Sequence, residues 1–179
     1  MSGKARRDPL TGPRRLVLTG AESTGKSMLA ERLARHFGAP LVPEYAREYA
    51  GRMGILTVED VEPIARGQQA AEEAMPARGH SLVVFDTDLL STAVYARHYY
   101  GWCPEWLERT VRHRSGLYLL LDIDVPFIPD PTRGPAERRA ELHQRFERAL
   151  EAAGVAWTVI RGDWEERFER AVRAVSSEK

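Results

Sequence analysis

The sequence has one cysteine, Cys103, which excludes an internal disulfide and any metal centre built on several thiolates. Lysine is almost as scarce. It stands only at Lys4, Lys26 and Lys179, and arginine supplies the rest of the basic set. Neither sign of charge predominates, since 26 basic residues balance 26 acidic ones, so a generally basic face for nucleic acid is not indicated. No apolar run approaches the ~20 residues of a membrane span, and the N-terminus lacks the apolar stretch of a signal peptide. His36, His80, His98, His113 and His143 show no metal-ligand spacing. The string N-K-x-D, which a guanine-reading GTPase needs, does not occur. These absences leave a cytoplasmic enzyme as the expectation, with no nucleic-acid or membrane partner. They say nothing of oligomeric state.

What is present is a regular alternation. Residues 1–13, MSGKARRDPLTGP, mix Gly, Pro and charge without periodicity and read as a mobile tail. Residues 14–179 read as a single domain, long enough to bury a core. Apolar runs recur at RLVLTG (15–20), PLVPEY (40–45), SLVVFDTD (81–88), GLYLLLDID (116–124) and AWTVIRG (156–162). They are continuous rather than alternating, as strands buried on both faces are. Amphipathic segments at about 27–37, 58–77, 89–99, 104–113, 135–153 and 163–175 separate them. Thr57 and Asp60 fit a capping box, Pro135 suits a first helical turn, and Gly154 ends the long helix. The pattern predicts an α/β fold, a three-layer sandwich around a five-stranded parallel sheet.

The most specific string is GAESTGKS, which matches G-x-x-x-x-G-K-[ST] between a strand and a helix. Gly20, Ala21, Glu22, Ser23, Thr24, Gly25, Lys26 and Ser27 are therefore assigned to the phosphates of ATP. Lys26 would reach the β- and γ-phosphates, and the Ser27 hydroxyl would take one Mg²⁺ position. Asp86 closes the third apolar run and is assigned to the metal site. Asp88, two residues on, either joins the ligand crevice or caps the following helix. Glu44 and Arg47 stand at the same sheet edge. They are either a proton acceptor and its orienting partner or an exposed ion pair. The Pro-, Gly- and Arg-rich stretch over 126–139 reads as a lid carrying Arg133, Arg138 and Arg139, or as a solvated loop. Trp102, just past a glycine, is available to stack on a planar ring, whereas Tyr95 and Tyr99 share a helix face as core residues do.

Taken in order, GAESTGKS, PEYAREY, VVFDTDLLSTAVY and DIDVPFIPDPTRG resemble a family of small P-loop proteins. That family includes the nicotinamide riboside kinase domain of bacterial NadR regulators, and the resemblance runs from about Arg15 to Ala174. It implies a nucleoside-kinase-like fold with strand order 2-3-1-4-5 and Mg-ATP as phosphoryl donor. It also implies a small nucleoside acceptor facing Glu44, Tyr45 and Arg47, a lid arginine at Arg133, and an adenine bordered by Gly162 and Asp163. Two departures stand out. Pro43 replaces an aromatic before the Glu-Tyr pair, and Gly67-Gln68-Gln69 is followed by Ala70 and Ala71 where the family carries a tyrosine. The ring sandwich is then rebuilt from Tyr45, Tyr49 or Trp102, or the acceptor differs. The expected activity is phosphorylation of the 5′-hydroxyl of nicotinamide riboside by a stand-alone kinase. Another nucleoside or small alcohol as acceptor, or an ATP-binding module with no acceptor, are the alternatives. Lys26, Glu44, Asp86 and Arg133 form the expected catalytic set, with the base left open between Glu44 and Asp86.

Overall fold

A computed structural model describes residues 12–75, 79–126 and 138–177. Its centre is a parallel sheet of β1 (Arg14–Thr19), β2 (Leu41–Val42), β3 (Leu82–Asp86), β4 (Leu117–Leu121) and β5 (Ala156–Ile160), in the order β2-β3-β1-β4-β5. This is the expected order. The helices are α1 (Lys26–Phe37), α2 (Tyr45–Met53), α3 (Val61–Ala74), α4 (Leu89–Tyr100), α5 (Glu105–Val111), α6 (Arg139–Ala153) and α7 (Trp164–Ser177).

The continuous apolar runs have their expected cause. In β1, Leu16 and Leu18 enter a core with Leu29, Leu33, Ala171 and Val175 of α1 and α7. Val17 points to the opposite face, against Leu90, Val94, Phe146 and Leu150 of α4 and α6. Both faces are dry across Leu16, Val17 and Leu18, so the run is apolar at both parities there. Register pairs Leu18 with Asp86 and Thr19 with Leu120, which brings the carboxyl ends of β1, β3 and β4 to one edge. In such sheets, that edge is where ligands bind.

Local signals were mostly sound. Thr57 and Asp60 make the capping box, and Asp60 also accepts from the Tyr49 hydroxyl at 2.8 Å. Gly154 caps α6 at φ 64°, a left-handed conformation that favours glycine. The second run departs from expectation: only Leu41 and Val42 pair, and α2 begins at Tyr45. Pro43 has no N–H for a ladder and lies at the sheet edge, where the strand stops. The expected start of α6 at Pro135 lies outside the described residues, as do the tail over 1–11 and most of the 126–139 segment.

Asp88 resolves toward the cap. Its Oδ1 accepts from Leu90 N at 3.0 Å, and its fully buried carboxylate takes Tyr118 Oη at 2.6 Å and Arg114 Nε at 3.0 Å. Glu72 shares Arg114 and accepts from Leu89 N at 3.0 Å. Burial alone would lower the Arg114 pKa, but the charges of Asp88 and Glu72 outweigh it and the net shift is upward. Burial, reinforced by Asp88, pushes the Tyr118 phenol up. This buried polar cluster ties α3 and the start of α4 to β4 and the segment before it.

Removing one member of a buried pair leaves an uncompensated charge. Asp88→Ala is expected to lower unfolding stability by about 3 kcal/mol in urea titrations, with Asp88→Asn losing less because it keeps the cap. An unfolding midpoint unchanged in Asp88→Ala would refute this role.

Candidate active site

The phosphate loop begins where β1 ends. Gly20 has φ 130°, and a Cβ there would meet the Leu121 carbonyl at 2.9 Å; Gly25 has φ 83°, and a Cβ would lie 2.3 Å from the Trp164 ring. Both positions require glycine for conformation and for space. The loop's carbonyls are tied down by donors from within the loop and from distant elements. Gly20 O accepts from Tyr95 Oη at 2.9 Å and Lys26 Nζ at 3.0 Å, and Ala21 O from Lys26 Nζ at 2.8 Å. Arg139 donates to Glu22 O at 3.1 Å and Ser23 O at 3.2 Å, and Arg167 to Thr24 O at 2.8 Å. With the carbonyls of 20–24 all engaged, the N–H side of the loop remains for an anion.

Asp86 sits beside this loop at the end of β3, only 5% exposed. Burial first, and the charge of Glu44 second, raise its pKa against the opposing pull of Ser27, Lys26 and Arg47. Asp86 Oδ1 and Ser27 Oγ are both buried and neither makes a well-formed hydrogen bond among the described residues, although Ser27 lies near enough to Asp86 to lower its pKa. Two hard oxygens left unsatisfied at a phosphate loop fit Mg²⁺, which takes few protein ligands and completes its shell with phosphates and water. The next residue, Thr87, has φ 68°, a strained conformation for a β-branched side chain, and lines the cavity.

That cavity has a volume of about 650 Å³ and opens from Lys26 and Glu22 toward α2, α3 and α4. Glu44 and Arg47 line it together. Arg47 donates from Nε and Nη2 to Glu44 Oε2, each at 3.3 Å, leaving Oε1 outside that pair. Tyr95, Tyr99 and Tyr100 form an aromatic wall, with the first two rings parallel within 3° at 6.1 Å. Tyr99 Oη donates to the Glu22 carboxylate. Ile55 and Leu56 supply apolar lining at the opposite side.

The structure therefore brings Lys26, Ser27, Glu44, Arg47, Asp86 and Arg138 to one place and leaves other expected residues elsewhere. Tyr45 is turned onto α3, where its ring lies over Gly67 at 2.0 Å from an added Cβ. Tyr49 is held by Asp60, Asp88 is buried in its ion pairs, and Trp102 is an exposed residue outside the cavity lining. The aromatic wall comes from α4 instead, because the helical spacing that marked Tyr95 and Tyr99 as core also faces them to the loop. Arg138 lines the cavity and donates to His98 O at 3.3 Å. Arg139 is a strut and not a lid residue: its guanidinium is spent on Glu22, Ser23 and Val125 carbonyls, and burial lowers its pKa. Arg133 lies outside the described residues. Gly162 donates to Asp124 and accepts from Arg167, while Asp163 caps α7 through Glu165 N and Glu166 N, both at 2.9 Å. Sequence reasoning missed Arg167, although a signal existed. It shares the buried stripe of α7 with Ala171 and Val175, and an arginine on an apolar stripe has a buried partner to find.

Comparison with known proteins agrees with this fold. A family model described as an AAA domain matches residues 15–167. The trifunctional NAD biosynthesis/regulator protein NadR of Escherichia coli (strain K12) is 27% identical over 171 residues, covering 90% of this chain. The chain spans 42% of that relative's length. Among solved structures, a NadR protein in complex with NR superposes with a TM-score of 0.78 at 28% identity, covering 92% of this chain and 51% of that one. A NadR protein with NAD and AMP-PNP gives 0.74 at 27%, covering 92% and 49%. No helix among the described residues is long and apolar enough to cross a membrane.

The raised pKa of Asp86 has two consequences of opposite sign. Without metal, the native state holds the proton more tightly than the unfolded chain, so stability falls as pH rises from the ordinary carboxyl value through the raised one. Asp86→Asn is therefore expected to melt higher than the wild type at neutral pH in the absence of Mg²⁺. Metal and proton compete for the carboxylate, so the Mg²⁺-dependent part of ATP binding is expected to weaken on acidification, with a midpoint that falls as Mg²⁺ is raised. Thermal melts of the two proteins check the first, and calorimetric titration of ATP across pH at two Mg²⁺ concentrations checks the second. A midpoint indifferent to Mg²⁺ would remove Asp86 from the metal site.

Proposed function

The chain belongs to this AAA-domain family, and from that premise we propose that it is an ATP-dependent kinase transferring the γ-phosphoryl group to the 5′-hydroxyl of nicotinamide riboside. The observation that carries the reading is the union of a phosphate loop with an aromatic-walled cavity of about 650 Å³ whose mouth holds Glu44 and Arg47. A hydrolysing switch needs room for one water at the γ-phosphate. A cavity of nucleoside size with a ring-stacking wall suits an organic acceptor. Similarity to a protein bound to NR supports the choice of acceptor.

In this mechanism the loop amides and Lys26 hold the β- and γ-phosphates, and positioning accounts for most of the rate. Ser27 and Asp86 would hold Mg²⁺, which when bound offsets negative charge on the phosphate oxygens. Glu44 Oε1 accepts the proton of the 5′-hydroxyl as its oxygen bonds to the γ-phosphorus and the bond to the β–γ bridging oxygen breaks, releasing ADP. Arg47 keeps Glu44 in place through Oε2. Asp86 is less suited as the base, because its role at the metal requires it to stay ionised. Arg138, beside Tyr99, supplies positive charge to the same cavity.

The test is ADP release from Mg-ATP with and without nicotinamide riboside, beside a panel of ordinary nucleosides. Stimulation by nicotinamide riboside with the mononucleotide as product supports the reading. Stimulation by another nucleoside alone would overturn the acceptor, and ATP binding that no acceptor turns over would overturn the kinase. Glu44→Gln is expected to lose about 10²–10⁴-fold in kcat with ATP affinity intact; full turnover in that variant would exclude Glu44 as the base.

A further inference from the structure

Gln68 of α3 lines the acceptor cavity and is only 1% exposed. Its carboxamide is satisfied at one end and not at the other. Oε1 accepts from the main-chain N–H of Tyr45 at 3.0 Å, while Nε2 has no hydrogen-bond partner among the described residues. The orientation of this amide follows from chemistry. A backbone N–H can only donate, so the carbonyl end must face Tyr45 and the NH₂ end must face the other way. A buried donor without a partner is costly, and such groups in native structures have a reason.

We propose that Gln68 is a specificity-determining residue that reads the acceptor's base by donating from Nε2 to an oxygen acceptor on the ring or its substituent. The proposal rests on the kinase reading above and narrows its substrate class. Because Oε1 is committed to Tyr45, the residue cannot turn its amide to accept from a ligand amine. The site therefore selects nucleosides that present a carbonyl or carboxamide oxygen, a group that nicotinamide carries. The residue that fixes Oε1 follows Glu44 directly in the chain, so one hydrogen bond links base reading to the position of the carboxylate. The aromatic wall of Tyr95 and Tyr99 supplies ring contact without discriminating one ring from another, and Gln68 supplies the directional contact that it lacks.

The discriminating experiment compares nicotinamide riboside with pyridine riboside, which lacks the carboxamide, in wild type, Gln68→Glu and Gln68→Met. Gln68→Glu keeps an oxygen for the Tyr45 N–H and turns the donor into an acceptor; Gln68→Met removes both functions at similar size. ATP affinity and melting temperature serve as folding controls. Wild type is expected to prefer nicotinamide riboside by about tenfold or more in kcat/KM. Both variants are expected to lose that preference through KM for nicotinamide riboside, with ATP affinity unchanged. A merely structural role would depress both acceptors together and leave their ratio untouched. A preserved ratio in the variants, with the wild type active, would overturn this inference and leave the kinase reading intact. A wild type that phosphorylates neither compound would overturn the acceptor reading and this inference with it.

Discussion

Everything at this site depends on holding one loop inside out. The phosphate loop must turn its carbonyls away from a ligand of high negative charge, and its own Thr24 and Lys26 side chains reach only those of Gly20 and Ala21. The protein uses long donors from distant elements. Tyr95 comes from α4, Arg139 from the start of α6 and Arg167 from α7, and each reaches a carbonyl between Gly20 and Thr24. Arg167 also joins the loop to the ends of β4 and β5 through Asp122 O and Gly162 O. Arginine suits this work because its planar fork offers several fixed donors and stays charged when buried. Lys26 adds a donor from within the loop, reaching the Gly20 and Ala21 carbonyls.

The end of β3 divides labour between two carboxylates two residues apart. Asp88 is saturated by Arg114, Tyr118 and a helix N-terminus, and contributes structure. Asp86 is buried with an oxygen unsatisfied and a raised pKa. One carboxylate stabilises the fold and the other is held ready at a cost to it, the trade that functional sites commonly make. Thr87, between them, takes the strained φ that sends the two side chains to different surroundings.

Much of this was legible in the sequence because the fold is set by periodicity and by one specific string. Five continuous apolar runs gave the parallel sheet, and G-x-x-x-x-G-K-S between strand and helix located the phosphate site. Asp86 followed from its place at a strand end. What could not be read was side-chain direction. Tyr45 and Asp88 lie in the right segments and point away from the cavity, Tyr45 onto Gly67 and Asp88 into the interior. Arg139 was visible as a charge near a phosphate loop, but sequence does not distinguish a charge facing a ligand from one facing the loop's own carbonyls. Composition hid the struts too, because in an arginine-rich chain no single arginine stands out.

The contact between Trp164 and Gly25 carries a consequence of another kind. The indole lies half-exposed against the glycine that precedes Lys26, at a backbone position that cannot take a side chain. The loop is thereby built with a native fluorophore resting on it, without any label attached. Small changes in the loop's electrostatic surroundings alter the field across that ring, so the protein's own emission becomes an optical gauge of the loop's state. The other tryptophans form a background that Trp164→Phe can subtract.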